Sequence, residues 1–168
     1  IDNIQYMSWY LWVSPIDSWE NFNKILKQDH KSLKMQTYEF TQNNLKKTFE
    51  DMASRWTQIK IIIEDKKFQQ FTDTFKELKK TFEDQQNIQI KSDFQMKTNY
   101  VHSKYTILDS WFVIKTANLT NSSFKKNREY FFFSQNTWVL ASLNLIFDKD
   151  RSWKQITNQD IHPNLVVC

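Results

Sequence analysis

Two residues that could act on phosphorus stand close together in the segment HSKYTILD, past the middle of the chain. His102 and Lys104 are two positions apart, so on a predicted strand both side chains leave the same face. A lysine can neutralise phosphate oxygens, and a histidine can attack phosphorus when a carboxylate fixes its tautomer. A lone histidine on a strand is more often structural than reactive. The prediction of phosphoryl chemistry therefore depends on the neighbouring residues.

Four polar residues follow this pair at positions that would bring most of them to the same edge of a sheet. Thr116 and Asn118 share one face of the next predicted strand, and their hydroxyl and amide groups can donate to phosphate oxygens. Glu129 begins a later strand and could fix the tautomer of the histidine. Asp109 lies at the end of the first of these strands. The set as a whole suits a phosphate site with a histidine nucleophile.

The order of these residues resembles the phospholipase D superfamily, which is named for a His-Lys-Asp motif. HSKYTILD is His-x-Lys-x4-Asp, and KTAN (115–118) and NRE (127–129) follow at fitting distances. The segments SLKMQTYEFTQ, ASRWTQIKIIIE, NLTNSSFKKNREYFF and SLNLIFDKD resemble those around the motif in members with two copies of it. The bare motif would arise by chance in roughly 2% of such chains, and the two extensions make chance remote.

The resemblance implies an α/β/α sandwich and a two-step phosphodiester reaction that needs no metal or other cofactor. His102 would be the nucleophile that forms a phosphohistidine. Glu129 would orient His102, and Asp109 would be structural at the turn. The resemblance also implies that a cation, a hydroxyl and an amide would hold the phosphate: Lys104, Thr116 and Asn118.

One departure from the superfamily pattern falls in the phosphate-holding segment. The superfamily usually has Gly-Ser before x-Asn, whereas this chain has Lys115-Thr116. Thr116 keeps the hydroxyl. Lys115 replaces the glycine, and this replacement is either a feature of a subfamily or an obstacle that crowds the phosphate.

Only one copy of the motif is present, since neither His30 nor His162 fits it. The implied reaction needs a second histidine that protonates the leaving group and activates water or an alcohol. Residues 1–160 would form one domain, and 161–168 would begin a truncated second one, because the chain closes on the strand-like NLVVC. We expect the second copy beyond Cys168, with an identical subunit across a two-fold axis as the other source.

Strand-like and helix-like segments alternate along the chain, which favours an α/β fold with a mixed sheet flanked by helices. Alternating or apolar runs predict strands at 10–14, 32–40, 58–64, 88–92, 100–108, 112–119 and 129–134. Apolar residues spaced three and four apart predict helices at 18–28, 41–55, 68–82 and 137–147. A tight turn at Asp109, Ser110 and Trp111 would join two strands, and residues 120–128 would form a polar loop.

The bulk composition indicates a folded domain and leaves its location open. The chain has 168 residues, of which 40% are hydrophobic and 25% charged. It has no run of about 18 apolar residues that could span a membrane, and its one cysteine excludes an internal disulfide. A cytoplasmic or membrane-peripheral protein is expected. The net charge of +4 suits an anionic substrate and equally a lysine-rich exterior.

The motif permits three functions. The first is a phosphodiesterase or phosphatidyltransferase that acts on phospholipid. The second is a nuclease of the same superfamily, because the chemistry on a nucleic-acid phosphodiester is shared. The third is an inactive binding or scaffolding module, against which the intact His102, Lys104, Asn118 and Glu129 argue.

The chain has no glycine and seven tryptophans, although about 12 glycines would be expected from average usage. Two tryptophans stand where glycine is the physical choice, namely Trp56 after a predicted helix and Trp111 in the predicted hairpin turn. We interpret them as glycines encoded by UGA in a source that reads this codon as glycine. UGG codons at 56 and 111 in the gene would contradict this interpretation.

Overall fold

The computed structural model describes residues 9–65, 69–93, 96 and 101–157. Phe68, Tyr100 and the predicted second domain at 161–168 lie outside the described residues. The described strands are β1 (Trp9–Ser14), β2 (Ser32–Thr37), β3 (Gln58–Ile63), β4 (Ile88–Ser92), β5 (Tyr105–Leu108), β6 (Trp111–Lys115) and β7 (Glu129–Ser134). The described helices are α1 (Ser18–Leu26), α2 (Asn43–Ser54), α3 (Gln69–Thr81), α4 (Asn121–Lys125) and α5 (Thr137–Arg151). Among them, none is long and apolar enough to cross a membrane.

The seven strands form one mixed sheet in the order β1-β7-β6-β5-β2-β3-β4, with helices on both faces. Helices α1 to α4 pack on one face, where Phe22, Phe49 and Leu78 are fully buried against the sheet. Helix α5 packs on the other face through Phe147, which contacts a smaller cluster that includes Tyr105. Burying one such side chain contributes about 1.5 to 3 kcal/mol. The predicted α/β sandwich with a mixed sheet is confirmed.

The direction of the strands decides which residues meet. Strands β2, β3 and β4 are parallel, whereas β5, β6, β7 and β1 follow one another antiparallel from β2 outward. The register pairs Gln36 with Tyr105, Tyr105 with Ile114, and Lys115 with Phe131. The carboxyl ends of β2 and β6 and the amino ends of β5 and β7 therefore share one edge of the sheet. We call it the site edge.

The two central strands are shorter than predicted. Strand β5 begins at Tyr105 and β6 ends at Lys115, so the predicted site residues at 102, 104, 116 and 118 lie just outside them. Pairing continues for one step, because the Lys115 N–H donates to the Lys104 carbonyl at 2.9 Å. Beyond that point the two segments of the chain no longer pair, and the carbonyl of His102 accepts from the Lys104 ammonium at 2.8 Å.

Residues 120–128 are not only loop, as the sequence predicted, because they include the short helix α4. Its N-cap is Thr120, whose hydroxyl accepts from the Ser123 N–H at 3.2 Å and also bonds the Ser123 hydroxyl. Phe124 then packs between α1 and the sheet, with its ring 5.5 Å from that of Phe131. A polar composition hid this helix, since only one of its five residues is apolar.

Trp111 is not a turn residue, contrary to the sequence prediction. The turn consists of Asp109 and Ser110, and Trp111 opens β6 opposite Leu108. Its ring stacks on Phe133, with centroids 4.2 Å apart and planes 16° apart. The argument for glycine at position 111 therefore fails, because this tryptophan has a strand conformation and an aromatic partner.

Trp56 and Trp153 have the left-handed backbone that favours glycine, with φ of 67° and 54°. Both directly follow a helix C-cap residue. After α2, the Trp56 N–H donates to the Ala53 carbonyl and the Thr57 N–H to the Met52 carbonyl, at 2.9 and 3.1 Å. The corresponding bonds follow α5, from Trp153 and Lys154. These are Schellman motifs, in which glycine is the usual residue at this position.

Replacing Trp56 with glycine is expected to raise the free energy of unfolding by about 1 kcal/mol. The left-handed conformation costs a non-glycine residue, whereas the ring is 84% exposed and loses little packing on removal. Replacing Trp153 with glycine should raise the free energy of unfolding by less, because the Trp153 ring lies 4.4 Å from the Lys91 ammonium and this contact would be lost. Urea denaturation measures the change. The matched control is Trp138→Gly in α5, an exposed tryptophan with a right-handed backbone, which should not stabilise the protein.

Candidate active site

His102 and Lys104 lie together at the site edge, just before β5. The Lys104 ammonium is 3.3 and 3.4 Å from the two ring nitrogens of His102. Tyr38 supports both residues, because its ring meets the His102 ring edge-on at 4.8 Å and lies 5.5 Å from the ammonium. His102 is exposed, whereas Lys104 is 8% exposed. The structure therefore presents an accessible imidazole with a cation beside it, as the spacing predicted.

Tyr38 was missed by the sequence analysis. It directly follows β2, whose carboxyl end belongs to the site edge. The available signal was therefore topological, since any polar or aromatic residue directly after β2 would be near the residues that precede β5. A tyrosine in this place holds the imidazole by its ring and attracts the neighbouring ammonium to its face.

Thr116 and Glu129 form a second cluster at the site edge. The Thr116 hydroxyl donates to one carboxylate oxygen of Glu129 and accepts from the Tyr130 N–H at 3.0 Å. The Asn127 amide is 3.5 Å from the other carboxylate oxygen. Glu129 is thus fixed by Thr116, directly after β6, and by Asn127, which precedes β7. These are its hydrogen-bond partners in the described part of the chain, so an orienting contact from Glu129 to His102 stays a prediction.

Asn118, two residues after Thr116, has an unsatisfied amide oxygen. Its Oδ1 is buried and has no hydrogen-bond partner among the described residues. The next residue is held firmly, because the Leu119 N–H donates to the Glu39 carbonyl at 2.9 Å and pairs with the segment after β2. An unsatisfied buried polar atom costs about 1 to 3 kcal/mol. This oxygen can accept a hydrogen bond from a donor group of a ligand, but it cannot bond to the oxygens of an ionised phosphate.

Asp109 lies away from the other motif residues, at the opposite end of β5. Its carboxylate accepts from the Lys31 and Ser32 N–H groups, both at 3.0 Å, and from the Ser32 hydroxyl at 3.1 Å. Burial raises its pKa, but these bonds and His30, 3.7 Å away, outweigh burial and lower it overall. Asp109 therefore ties the β5–β6 turn to the start of β2 and does not reach the site.

Replacing Asp109 with asparagine is expected to lower the free energy of unfolding by about 1 to 2 kcal/mol, because one oxygen that accepts a backbone N–H becomes a donor. A lowered folded-state pKa stabilises the fold above the ordinary value of the carboxyl group, and the effect is lost as the pH falls through the folded value. The loss of stability in Asp109→Asn, measured by denaturation, should thus be larger at pH 7 than at pH 3. Asp29→Asn, which breaks a surface pair with Arg55, is the control and should matter less.

The residues of the site edge surround a cavity of about 610 Å³. Its volume falls in the range of small-molecule sites. On the strand side it is lined by His102, Ser103, Lys104, Lys115 and Thr116, and toward α5 by Gln36, Tyr105, Ile114, Leu143, Ile146 and Asp150. Polar groups that could bind phosphate thus share one opening with apolar groups that could bind the rest of a substrate.

Comparison with known proteins identifies the family to which this domain belongs. The family model described as "Cardiolipin synthase, PLD-like domain" matches residues 23–151, which include every predicted site residue. The chain belongs to this PLD-like family. None of the curated proteins matches it.

Solved structures share the fold of this PLD-like domain. NucT from Helicobacter pylori aligns with a TM-score of 0.71 and 18% identity, over 87% of this chain and 96% of that chain. Nuc from Salmonella typhimurium, a phospholipase D family member, aligns with a TM-score of 0.73 and 18% identity, over 89% and 97%. Phosphatidylserine synthase from Haemophilus influenzae aligns with a TM-score of 0.69 and 12% identity, over 91% of this chain and 40% of that one.

The electrostatics of the PLD-like site favour an anionic ligand. Burial lowers the pKa of Lys104, and the nearby Glu129 carboxylate opposes this shift. Burial also lowers the pKa of Lys115 to about 7, with a further contribution from Lys104. Two lysines in a partly dry cavity bind an anion more strongly than they would in water. The arrangement can therefore neutralise the charge of a phosphodiester beside an accessible imidazole.

Proposed function

We propose that this PLD-like domain transfers or hydrolyses phosphodiesters through a phosphohistidine formed on His102. The observation that supports the proposal is the convergence of an imidazole, a cation and a hydroxyl, from His102, Lys104 and Thr116, around one cavity at the site edge. The scaffold alternative does not explain a nearly buried Lys104 ammonium beside an exposed histidine. A bound phosphate would give this cation a partner of opposite charge.

The first step forms a bond between an imidazole nitrogen of His102 and phosphorus, and breaks the bond from phosphorus to the leaving oxygen. Lys104 neutralises the non-bridging oxygens as negative charge gathers on them. The leaving oxygen takes a proton from a second histidine. That histidine then removes a proton from water or an alcohol, whose oxygen attacks phosphorus and frees His102.

The second histidine comes from another copy of the motif, in the same polypeptide or in an identical subunit. An apolar face next to the cavity supports such a partner. On the α5 side of the outer strands, Leu11, Ile114, Tyr130 and Phe132 are 39% to 50% exposed, although they lie within the sheet. Contiguous exposed apolar residues of this kind mark interaction surfaces.

We propose phospholipid as the substrate. The matching family model is described as a cardiolipin synthase domain, and one structural neighbour is a phosphatidylserine synthase. The apolar side chains that line the cavity toward α5, such as Leu143 and Ile146, suit a substrate with an apolar portion.

Nucleic acid is the second candidate substrate. The exposed cations Lys125, Lys126 and Arg128 stand directly before Glu129, and Tyr130 is exposed beside them. Cations that follow a phosphate backbone, together with rings on which bases stack, are typical of single-strand binding.

One experiment tests the mechanism and separates the substrates. The complete protein is incubated with vesicles of phosphatidylglycerol and, in parallel, with single-stranded DNA, and both turnover and an acid-labile phosphoryl adduct on His102 are measured. Turnover of lipid with an adduct on His102 supports the proposal. Turnover of DNA alone, with an adduct on His102, would contradict phospholipid as the substrate but support the phosphohistidine mechanism. Turnover without any adduct on His102, after rapid quenching, would overturn the mechanism.

A further inference from the structure

Lys115 is a buried cation at a position where the superfamily pattern has glycine. It is 6% exposed, and its ammonium donates to the Thr106 hydroxyl at 3.3 Å. No ion pair in the described part of the chain includes it. An unpaired buried ammonium is costly, so its presence requires an explanation that the fold does not provide.

The sheet register places Lys115 directly opposite Lys104. The Lys115 N–H donates to the Lys104 carbonyl, one step beyond the pair of Ile114 with Tyr105. Both lysines project from the face opposite Tyr105, because each is one residue away from a member of that pair. Side chains directly opposite on one face have Cβ atoms about 5 Å apart, and like charges there repel. The fold thus brings two buried cations together.

The other groups around Lys115 do not neutralise it. Toward the cavity, the charged and titratable residues are His102, Lys104, Tyr105 and Asp150. Glu129 on β7 is engaged by Thr116 and Asn127. Helix α1 presents the ring of Phe22, whose centroid is 5.8 Å from the ammonium. An anion between the two lysines would offset their repulsion and would give Lys115 a partner of opposite charge.

We propose that Lys115 is a second phosphate-binding cation of this site, which takes up a proton when the phosphate group of the substrate binds. The inference rests on the proposed function, because it deepens the phosphate recognition of that site. A glycine here would let the phosphate approach the backbone closely. Lys115 would instead attract the phosphate by its charge. The Thr106 hydroxyl holds the ammonium in place while the site is empty.

The protonation of Lys115 gives the proposal a distinctive signature. Its pKa of about 7 means that it is half charged at pH 7 in the empty site. A bound dianion raises that pKa, so binding at pH 7 should take up about half a proton, and binding at pH 8 should take up more. The measurement is made in the His102→Asn variant, so that the imidazole does not contribute to the uptake.

Sulfate is a suitable probe, since it stays a dianion near neutral pH. Its binding to the complete protein is measured by calorimetry at pH 7 and pH 8, in buffers of different ionisation enthalpy, which gives the proton uptake. In the His102→Asn background, Lys115→Met should weaken binding by about tenfold and abolish the uptake. Lys115→Arg should keep the affinity without uptake, because arginine stays charged.

The outcomes separate this inference from the proposed function. Unchanged affinity and uptake in a folded Lys115→Met protein would overturn the role of Lys115, whatever the enzyme does. Should Lys115→Met not fold, uptake that falls from pH 7 to pH 8 in the His102→Asn protein would overturn it as well. Sulfate binding with the expected uptake, together with no phosphodiester turnover, would confirm the anion site and contradict the catalytic proposal.

Discussion

Replacing His102 with asparagine is expected to lower the turnover of a phosphodiester by about 10⁴-fold or more, because removal of a nucleophile leaves only binding and electrostatic stabilisation. Asparagine keeps the polarity of the side chain but has no nitrogen that can form a bond to phosphorus. The exposed position of His102 means that the fold should tolerate the change. Steady-state kinetics and quenched labelling measure both effects on the complete protein.

The matched control is His30→Asn. The ring of His30 is 2.8 Å from the Ile25 carbonyl and 3.7 Å from Asp109, at the edge of the sheet opposite the site. This substitution should reduce stability and leave the chemical step unchanged. Equal losses of turnover in the two variants would mean that both act by weakening the fold. Full labelling and turnover in His102→Asn would make another residue the nucleophile.

The order of strands and helices could be predicted from the sequence because each has a strong local signal. The isoleucines of β3 and the apolar residues of α5 at spacings of three and four are two examples. The ends of β5 and β6 could not be predicted, since apolar residues such as Val101 and Ala117 still alternate with polar ones past the point at which pairing stops. There, side-chain bonds such as Lys104 to the His102 carbonyl replace the ladder.

The position of Asp109 shows what a motif leaves unspecified. It is part of the same eight-residue segment as His102, yet the strand between them has four residues. At about 3.4 Å per residue, such a strand carries the chain more than 10 Å away. Residues close in sequence thus lie at opposite edges of the sheet. The expectation that Asp109 is structural agrees with its contacts to Lys31 and Ser32.

Lys115 and Tyr38 could not be assigned to the site from sequence because their roles depend on strands that are distant along the chain. Lys115 meets Lys104 through the register of β5 and β6, and Tyr38 meets His102 through the pairing of β2 with β5. A one-residue shift in either register would send these side chains to the other face. The departure from glycine at position 115 was visible, but its consequence required the pairing.

Replacing Lys104 with methionine is expected to lower kcat/KM for a phosphodiester by about 10²- to 10³-fold, because a preorganised charge at the developing negative charge is lost. Methionine retains much of the length of the side chain, so the packing against Tyr38 should change little. Lys104→Arg is the control. It keeps the charge and should recover part of the rate, unless the guanidinium is too wide for the cavity.

Lys104→Met is also expected to change the pKa of Lys115. Burial is the main cause of the low pKa of Lys115 and the charge of Lys104 the second, so Lys104→Met should raise that pKa but leave it below its ordinary value. More of Lys115 is then protonated at pH 7 before any ligand binds. Sulfate binding should therefore take up less than half a proton, while the remaining cation still holds the anion. A larger uptake in Lys104→Met than in the natural chain would contradict the electrostatic coupling of the two lysines.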